Sequence, residues 1–330
     1  MNKYYERYLQ YRTLIDDKLF NLSDKELPAT LYEPVKYVLS AGGKRIRPMI
    51  LISSCEAFGG TIEESLDAAA AIEILHNFTL VHDDIMDNAG TRRGMETVHK
   101  KWDTNIAILA GDCLMGIAYK LLLNTKSDRI GDIAKAFTEG VIEVCEGQSF
   151  DKEFEKQENV KLSDYTMMIG KKTSMLLETC AVIGVMIAGG TNEQIELMRD
   201  YAKNIGLAFQ VQDDLLDITA DEKEFGKKIG GDLMEGKKTF LLLKALEVVE
   251  KPEDRALLNK VSSKNGHAPI NENDIMKIKD LYEAHGVLDY AKSEVEIYTQ
   301  KADAYLSSIP DSEAKEMLKW FSLMLLGRSS

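Results

Sequence analysis

The stretch His76-Asn-Phe-Thr-Leu-Val-His-Asp-Asp-Ile-Met-Asp87 decides the fold. It holds Asp-Asp-x-x-Asp within an apolar run of residues that favour helices. Residues four apart share one face of an α-helix, so we expect Asp83 and Asp87 to point the same way. His76 lies seven residues before Asp83 and therefore falls on the same face, two turns earlier.

A second stretch, Phe209-Gln-Val-Gln-Asp-Asp-Leu-Leu-Asp217, repeats this pattern and places Asp213 and Asp217 on one helix face. Carboxylates set together in a partly buried wall repel each other and lose hydration, so a cation must offset the cost. Oxygen ligands favour Mg²⁺, which completes its shell with water and substrate phosphates. Two facing Asp-rich walls therefore predict a Mg²⁺-bridged diphosphate. For a single motif, an acidic pair on a solvated face would be as good an interpretation.

The composition limits the class of protein. The chain has 330 residues and a formal net charge of −13, which argues against a general nucleic-acid or anionic-membrane surface. The N-terminus lacks the apolar core of a signal peptide, and the most apolar run, 181–188, is too short to span a bilayer. Four cysteines lack the spacing of a zinc or redox site and are predicted to be buried thiols: Cys55, Cys113, Cys145 and Cys180. We expect a soluble cytoplasmic protein.

The distribution of prolines indicates the architecture. None of the six lies between Pro48 and Pro252, and the intervening sequence favours helix throughout. Helices are predicted at about 27–41, 45–58, 61–89, 104–124, 127–157, 163–189, 192–219, 239–250, 272–285, 287–307 and 312–325. Capping boxes are predicted at Thr61-x-x-Glu64 and Thr191-x-x-Gln194. No linker divides the chain, so we predict an all-α fold: one domain over 1–330, a bundle of long helices around a deep central cavity.

Basic residues cluster near both motifs. In Gly42-Gly-Lys-Arg-Ile-Arg-Pro48, the start of a helix with Lys44, Arg45 and Arg47 beside it would make an anion site. Thr91-Arg-Arg-Gly94 follows the first motif and offers two arginines for two phosphate groups.

Two further clusters are Lys171-Lys-Thr173 and the glycine-rich, lysine-rich segment 225–239, which could cover phosphates as a lid. The alternative for all four clusters is that they pair with nearby acidic residues.

Taken together, these motifs resemble the trans-isoprenyl diphosphate synthases, or polyprenyl synthetases, across most of the chain. Six landmarks of that family occur in order: Gly-Lys-Arg-x-Arg-Pro, the first Asp motif with Arg-Arg-Gly, Gly147-Gln148, Lys-Thr, Phe-Gln-x-x-Asp-Asp-x-x-Asp and a Gly-Lys loop. The chain looks most like short-chain geranylgeranyl diphosphate synthases.

The resemblance implies a role for each matching residue. Isopentenyl diphosphate would be held by Lys44, Arg47, His76 and Arg93. About three Mg²⁺ on the allylic diphosphate would be bound by Asp83, Asp87 and Asp213, together with Asp84 and Asp217. The allylic diphosphate would also be contacted by Arg92, Lys172, Lys227 and Lys237, with Thr173 and Gln210 nearby. Lys228 could take the place of Lys227, and His82 is interpreted as structural.

The implied reaction is a head-to-tail (1'-4) condensation. Mg²⁺ and the cationic side chains would stabilise the charge that develops as the allylic C–O bond breaks. The alkene of isopentenyl diphosphate would attack the allylic cation, and the departing diphosphate would take the proton that is lost. The resemblance also implies a homodimer.

Phe78 is the predicted determinant of product length. It lies five residues before Asp83, roughly 7.5 Å deeper along the helix, where the resemblance places the floor of the elongation tunnel. An aromatic residue there, beside Thr79, implies a C20 product. Phe78 is also rotated about 140° from Asp83, so the floor could instead lie at Leu75 or Ile72 and give longer products. A farnesyl (C15) product of the same reaction is a further alternative.

Three other functions fit parts of the pattern. A class I terpene cyclase shares the first Asp motif but does not need the anion site at 42–48. A non-catalytic subunit of a heteromeric synthase usually lacks one Asp motif, and both are intact here. A Mg²⁺-dependent phosphohydrolase would not need a long apolar channel.

Overall fold

The computed structural model describes residues 2–22, 26–220, 230–262 and 270–327. The described residues are overwhelmingly helical, which confirms the predicted all-α fold. The first helices are α1 Lys3–Asn21, α2 Ala29–Ser40, α3 Ile46–Ala57, α4 Ile62–Met86, α5 Val98–Lys101, α6 Thr104–Leu122 and α7 Ile130–Phe154. They are followed by α8 Leu162–Ile169, the π-helix Gly170–Ser174, α9 Met175–Ile187 and α10 Asn192–Thr219. The last are α11 Gly231–Glu235, α12 Phe240–Val248, α13 Pro252–Ser262, α14 Glu272–Ala284, α15 Val287–Ser307 and α16 Glu313–Leu325.

The chain divides into two compact units. The first comprises Met1–Thr138, Thr179–Met198 and Ile309–Phe321, and the second comprises Glu139–Glu178, Arg199–Ser308 and Ser322–Ser330. A single domain over 1–330 and a deep central cavity stay predictions.

In the first unit, α4 packs against α3 and α6. The alanines 68–71 of α4 are fully buried, and such small side chains let neighbouring helices approach closely. The predicted capping box starts this helix: the Glu64 N–H donates to Thr61 Oγ1 at 3.3 Å, and the Thr61 N–H donates to Glu64 Oε2 at 2.8 Å. The last turn of α4 carries the first Asp motif.

In the second unit, α10 carries the second Asp motif and belongs to an apolar core with α12, α14 and α15. Leu241, Leu242, Ile278 and Tyr282 are fully buried in that core. The helix predicted at 163–189 is interrupted by the π-helix, which inserts an extra residue into the turn that carries Lys171, Lys172 and Thr173.

A short antiparallel hairpin, β1 Thr91–Arg92 with β2 Met95–Glu96, was not predicted. Its two-residue strands are too short to show an alternating pattern. Arg93 and Gly94 both have positive φ, 52° and 77°, as a tight two-residue hairpin turn requires. Helices α1 and α13 were also not predicted.

Helix α6 is the one helix in the described part of the chain that is long and apolar enough to cross a membrane, and 39% of it is buried. Core helices of soluble proteins pass the same test, so this is weak evidence for a membrane span. Asn105, Asp112 and Lys120 interrupt its apolar sequence.

Candidate active site

The first Asp motif presents two carboxylates at the end of α4. Asp87 is the C-terminal capping residue, and its backbone is still helical, with φ −88° and ψ −6°. Its N–H donates to the Asp83 carbonyl at 2.8 Å. The predicted i, i+4 geometry of Asp83 and Asp87 is therefore present, with Asp83 half-buried and Asp87 exposed.

The middle aspartate of this motif has a different environment. Asp84 is only 5% exposed, and its Oδ1 accepts hydrogen bonds from Arg92 Nε at 2.9 Å and Nη2 at 2.6 Å. Burial raises the pKa of Asp84 above its ordinary value, although the Arg92 guanidinium favours the charged form. The ion pair ties the hairpin to the end of α4, so Arg92 is held beside Asp84 before any ligand binds.

The loop before α3 gives its three basic residues separate roles. Arg45 has φ 50° and is 4% exposed, and its guanidinium pairs with Glu73 at 2.7 Å and Asp16 at 2.8 Å. Arg45 is therefore a structural residue rather than part of the anion site predicted with Lys44 and Arg47. Lys44 is exposed, and its carbonyl accepts a hydrogen bond from the Tyr8 hydroxyl.

His76 and Arg47 lie together at 3.1 Å, His76 Nε2 to Arg47 Nη1. Burial and then the charge of Arg47 lower the pKa of His76 well below its ordinary value. A guanidinium can only donate, so Nε2 accepts and the proton of the neutral imidazole is on Nδ1. Arg47 Nε is buried without a hydrogen-bond partner, which is costly and leaves a donor available to an anion.

Arg93 lies against the same loop. Its Nη1 donates to the Gly42 carbonyl, and a Cβ at Gly43 would lie 3.0 Å from the guanidinium. Gly43 has φ +145°, so both its backbone conformation and this close approach favour glycine. The positive charges of Arg47, Arg93 and Arg92 all act on the pKa of His76. The structure thus brings together three of the residues predicted to hold isopentenyl diphosphate: Arg47, His76 and Arg93.

In the second unit, α10 presents Asp213 exposed and Asp217 half-buried, four residues apart. The middle aspartate, Asp214, is buried. Its Oδ2 accepts from the Tyr165 hydroxyl at 2.6 Å and the Phe240 N–H at 2.8 Å. Burial, and then the charge of Asp232, raise the pKa of Asp214 to about 7.

The two motifs therefore divide their aspartates in the same way. In each, the first and third aspartates share an accessible helix face, while the middle one is buried and held by donors of its own unit. Asp84 was predicted as a metal ligand, and this stays a prediction; in the structure its Oδ1 is bonded to Arg92.

The Lys-Thr motif lies in the π-helix and is held by two neighbouring helices. Lys172 Nζ donates to Asp151 Oδ2 at 2.5 Å, and Thr173 Oγ1 donates to Gln210 Oε1 at 3.0 Å. Gln210 Nε2 in turn donates to Asp214 Oδ1 at 3.1 Å, which links this motif to the second Asp motif. Asp151 was not predicted as a site residue. Its signal in the sequence is its position three residues after Gln148 of the Gly-Gln motif.

The Gly-Gln motif explains how α7 reaches the π-helix. A Cβ at Gly147 would lie 2.3 Å from the Lys172 backbone nitrogen, so only glycine allows this approach. The neighbouring Gln148 is 6% exposed, and neither atom of its amide has a hydrogen-bond partner.

Lys237 lies in the loop between α11 and α12 and pairs with Glu235 at 2.7 Å and Asp232 at 3.3 Å. Asp217 holds the start of α11: its carbonyl accepts from the Gly230 N–H at 2.8 Å. Lys227 and Lys228 lie outside the described residues, so the predicted choice between them stays open.

No group of three or more His, Cys, Asp or Glu side chains among the described residues is arranged to hold a metal ion by itself. Mg²⁺ typically takes one or two carboxylates and fills the rest of its octahedral shell with water and phosphate oxygens. Two accessible pairs fit that mode of binding: Asp83 with Asp87, and Asp213 with Asp217. Each pair offers carboxylate oxygens on one face of its own helix.

Phe78 is half-buried, whereas Ile72 and Leu75, deeper along α4, are fully buried. Its ring meets the His82 imidazole edge to face, with centroids 4.6 Å apart. The Thr79 hydroxyl donates to the His76 carbonyl at 2.8 Å and is therefore used within its own helix.

Comparisons with known proteins agree with these features. A model of the polyprenyl synthetase family matches residues 28–281. The chain is 41% identical over 283 residues to the geranylgeranyl diphosphate synthase of Sulfolobus acidocaldarius, covering 84% of each. It is 35% identical over 291 residues to the geranylfarnesyl diphosphate synthase of Aeropyrum pernix, covering 86% of this chain and 89% of that one. The crystal structure of geranylgeranyl pyrophosphate synthetase from Pyrococcus horikoshii matches with a TM-score of 0.91 and 36% identity, over 99% of this chain and 100% of that one.

A family match of this extent defines the class: the protein is a prenyltransferase with an all-α fold. The chain belongs to the polyprenyl synthetase family. The predicted family, fold class and type of enzyme are therefore confirmed.

Proposed function

We propose that this prenyltransferase catalyses the Mg²⁺-dependent 1'-4 condensation of isopentenyl diphosphate with allylic diphosphates and releases geranylgeranyl diphosphate. The observation that carries the proposal is the shared design of the two Asp motifs. Each offers an accessible i, i+4 pair of carboxylates and uses its middle aspartate to hold neighbouring groups.

Isopentenyl diphosphate is assigned to the corner formed by Lys44, Arg47, His76 and Arg93. This corner supports the assignment because Arg47 Nε is buried without a partner and His76 is neutral. A diphosphate there gains charge-assisted hydrogen bonds from guanidinium groups that are already in place. Neutral His76 holds Arg47 by accepting from it, and it adds no like charge to the cluster.

The allylic diphosphate is assigned to the Asp pairs, Asp83 with Asp87 and Asp213 with Asp217, through Mg²⁺. The metal would neutralise the diphosphate as it leaves. Arg92 and Lys172 are held by Asp84 and Asp151 at 2.6 Å and 2.5 Å, which orients their charges before the substrate arrives. Lys237 and Lys227 are assigned to the same leaving group.

Once the C–O bond has broken, the allylic cation carries its charge next to the Lys-Thr motif. Thr173 and Gln210 are hydrogen-bonded to each other at 3.0 Å, so their oxygens are fixed in position. The alkene of isopentenyl diphosphate attacks this cation, a new C–C bond forms, and the departing diphosphate takes the proton that is lost. No strong protein base is required.

The C20 product is supported by the geranylgeranyl diphosphate synthases among the relatives and by the half-buried Phe78. The geranylfarnesyl diphosphate synthase of Aeropyrum pernix supports a C25 product as the second candidate. In that case the floor of the tunnel lies beyond Phe78, at Leu75 or Ile72.

A homodimer in the cytoplasm completes the proposal. Helix α6 carries exposed apolar side chains at Ile108 (42%) and Leu109 (54%), and Leu123 (59%) follows at its end. A second copy covering this face would remove that apolar surface from water.

The test is a product analysis. Purified protein is incubated with Mg²⁺, labelled isopentenyl diphosphate and dimethylallyl, geranyl or farnesyl diphosphate in turn, and the dephosphorylated alcohols are sized by chromatography. Accumulation at C20 is expected. Products of C25 or longer would move the tunnel floor deeper, and no condensation with any primer would favour a cyclase or a non-catalytic subunit.

A further inference from the structure

The His82 imidazole lies at the contact between α4 and α6. Its Nε2 is 3.4 Å from the Ile108 carbonyl, which can only accept a hydrogen bond. A Cβ built at Gly111 would lie 2.2 Å from His82 Nε2 and 2.6 Å from Cδ2. No side chain larger than hydrogen can therefore stand at position 111 while the imidazole keeps its place.

The imidazole also contacts the Phe78 ring. The two rings lie one helical turn apart on α4, with centroids 4.6 Å apart and planes inclined at 61°, an edge-to-face arrangement. A long side chain on a helix has two common χ1 rotamers, so Phe78 needs a neighbour to select one of them. His82 is a neighbour that contacts its ring.

We propose that Gly111 and His82 together set the position of Phe78 and thereby the length of the product. The proposal rests on the function proposed above, in which Phe78 stops the growing chain. Gly111 leaves room for the imidazole against α6, and the imidazole holds the Phe78 ring. His82 and Gly111 are thus positioning residues that determine specificity through Phe78.

Removing the His82 imidazole is therefore expected to let the growing hydrocarbon chain pass Phe78. Without the imidazole, Phe78 can turn to its other rotamer and leave the path of the hydrocarbon. The next apolar side chain in line, Leu75, is three residues deeper, ~4.5 Å along the helix. That extra depth is on the order of one isoprene unit, so the expected change is from C20 to C25 and longer products.

The experiment compares Phe78→Ala, His82→Ala, Gly111→Ala and the double variant His82→Ala/Gly111→Ala. The helical Gly131→Ala serves as the matched control, because a Cβ there meets nothing within 4 Å. Each variant is given labelled isopentenyl diphosphate with farnesyl diphosphate. Product lengths, the rate of the first condensation and the circular dichroism spectrum are recorded.

We expect Phe78→Ala, His82→Ala and Gly111→Ala each to raise the share of products longer than C20 by about tenfold or more, a factor worth ~1.4 kcal/mol at 25 °C. The double variant should match His82→Ala alone, because Gly111 acts through the imidazole. Gly131→Ala should keep the wild-type distribution. If Gly111→Ala does not fold, His82→Ala decides, because it removes atoms and creates no clash.

Two results would contradict the proposal, and they are distinguishable. If Phe78→Ala lengthens the products while His82→Ala keeps the wild-type distribution, then His82 does not position Phe78, and Phe78 remains the floor of the tunnel. If Phe78→Ala itself leaves the distribution unchanged, the floor assignment fails and this inference fails with it.

Discussion

The position of an aspartate within Asp-Asp-x-x-Asp decides what it does. Sequence spacing correctly placed the first and third residues of each motif on one accessible face. It could not show that Asp84 and Asp214 are buried, because the donors that hold them, Arg92 and Tyr165, are fixed only by the fold. We therefore propose that the outer aspartates bind the metal, while the middle ones hold neighbouring donor groups.

Asp83→Ala is expected to reduce kcat by at least about 10³ with little loss of stability, because it removes a carboxylate that the proposal assigns to the metal. Steady-state rates with geranyl diphosphate and the Tm measured by circular dichroism check this. Glu63→Ala, an exposed acidic residue on the same helix, is the control. Near-normal turnover of Asp83→Ala would refute the metal assignment.

His76 should stay neutral in the folded protein well below pH 6.5, because burial and the charge of Arg47 lower its pKa. The unfolded chain takes up a proton near pH 6.5 and the folded chain does not. The unfolded state then binds more protons, so this residue makes stability fall as the pH drops below about 6.5.

His76→Gln should remove that contribution while keeping an oxygen that can accept from Arg47. The Tm of the ligand-free wild type should therefore fall more steeply between pH 7.5 and 5 than that of the variant. Imidazole NMR signals of His76 that titrate near pH 6.5 would show instead that the residue is not shielded from protonation.

At the scale of elements, α4 and α10 were predictable because each begins with a capping box ahead of a long run of residues that favour helix. The helix predicted at 192–219 has those bounds in the structure, and both predicted capping boxes form. The hairpin 91–96 and the π-helix were not predictable. The first is set by two positive φ angles at Arg93 and Gly94, and the second by contacts made at Lys172 and Thr173.

Gly147→Ala tests the contact between α7 and the π-helix. The added Cβ would lie 2.3 Å from the Lys172 backbone nitrogen, and backbone cannot yield as a side chain can. We expect a destabilisation of about 1–3 kcal/mol and a larger loss of kcat than of substrate affinity, because Lys172 and Thr173 move with that backbone.

Chemical denaturation and steady-state kinetics measure both effects. Gly131→Ala is the control, because it lies on the same helix and a Cβ there meets no atom within 4 Å. It should leave kcat unchanged and raise the stability only by the small gain in helix propensity. If Gly147→Ala keeps the stability and kcat of the wild type, the close approach of α7 to the Lys172 backbone is not needed for the site.

At the scale of the whole molecule, the apolar face of α6 needs an explanation. Helix α6 is apolar enough to pass the test for a membrane span, yet only 39% of it is buried. In a single copy of the chain, much of its surface therefore faces water. A net charge of −13 disfavours the binding of this face to anionic surfaces. The proposed homodimer would cover this face, because two-fold symmetry packs the same face of each copy against the other.

Leu109→Asp is expected to convert the proposed dimer to a monomer, because a charge on the proposed interface would be buried without a partner. Leu109 is 54% exposed in one chain, so the substitution places no charge in the core of the fold itself. Met276→Asp replaces an apolar residue that is 67% exposed on α14 and should leave the association state unchanged. The molar mass is measured by light scattering after size exclusion, and the Tm is followed against protein concentration, which raises it only where association stabilises the fold. A Leu109→Asp protein that keeps the mass of the wild-type dimer would show that another surface joins the two copies.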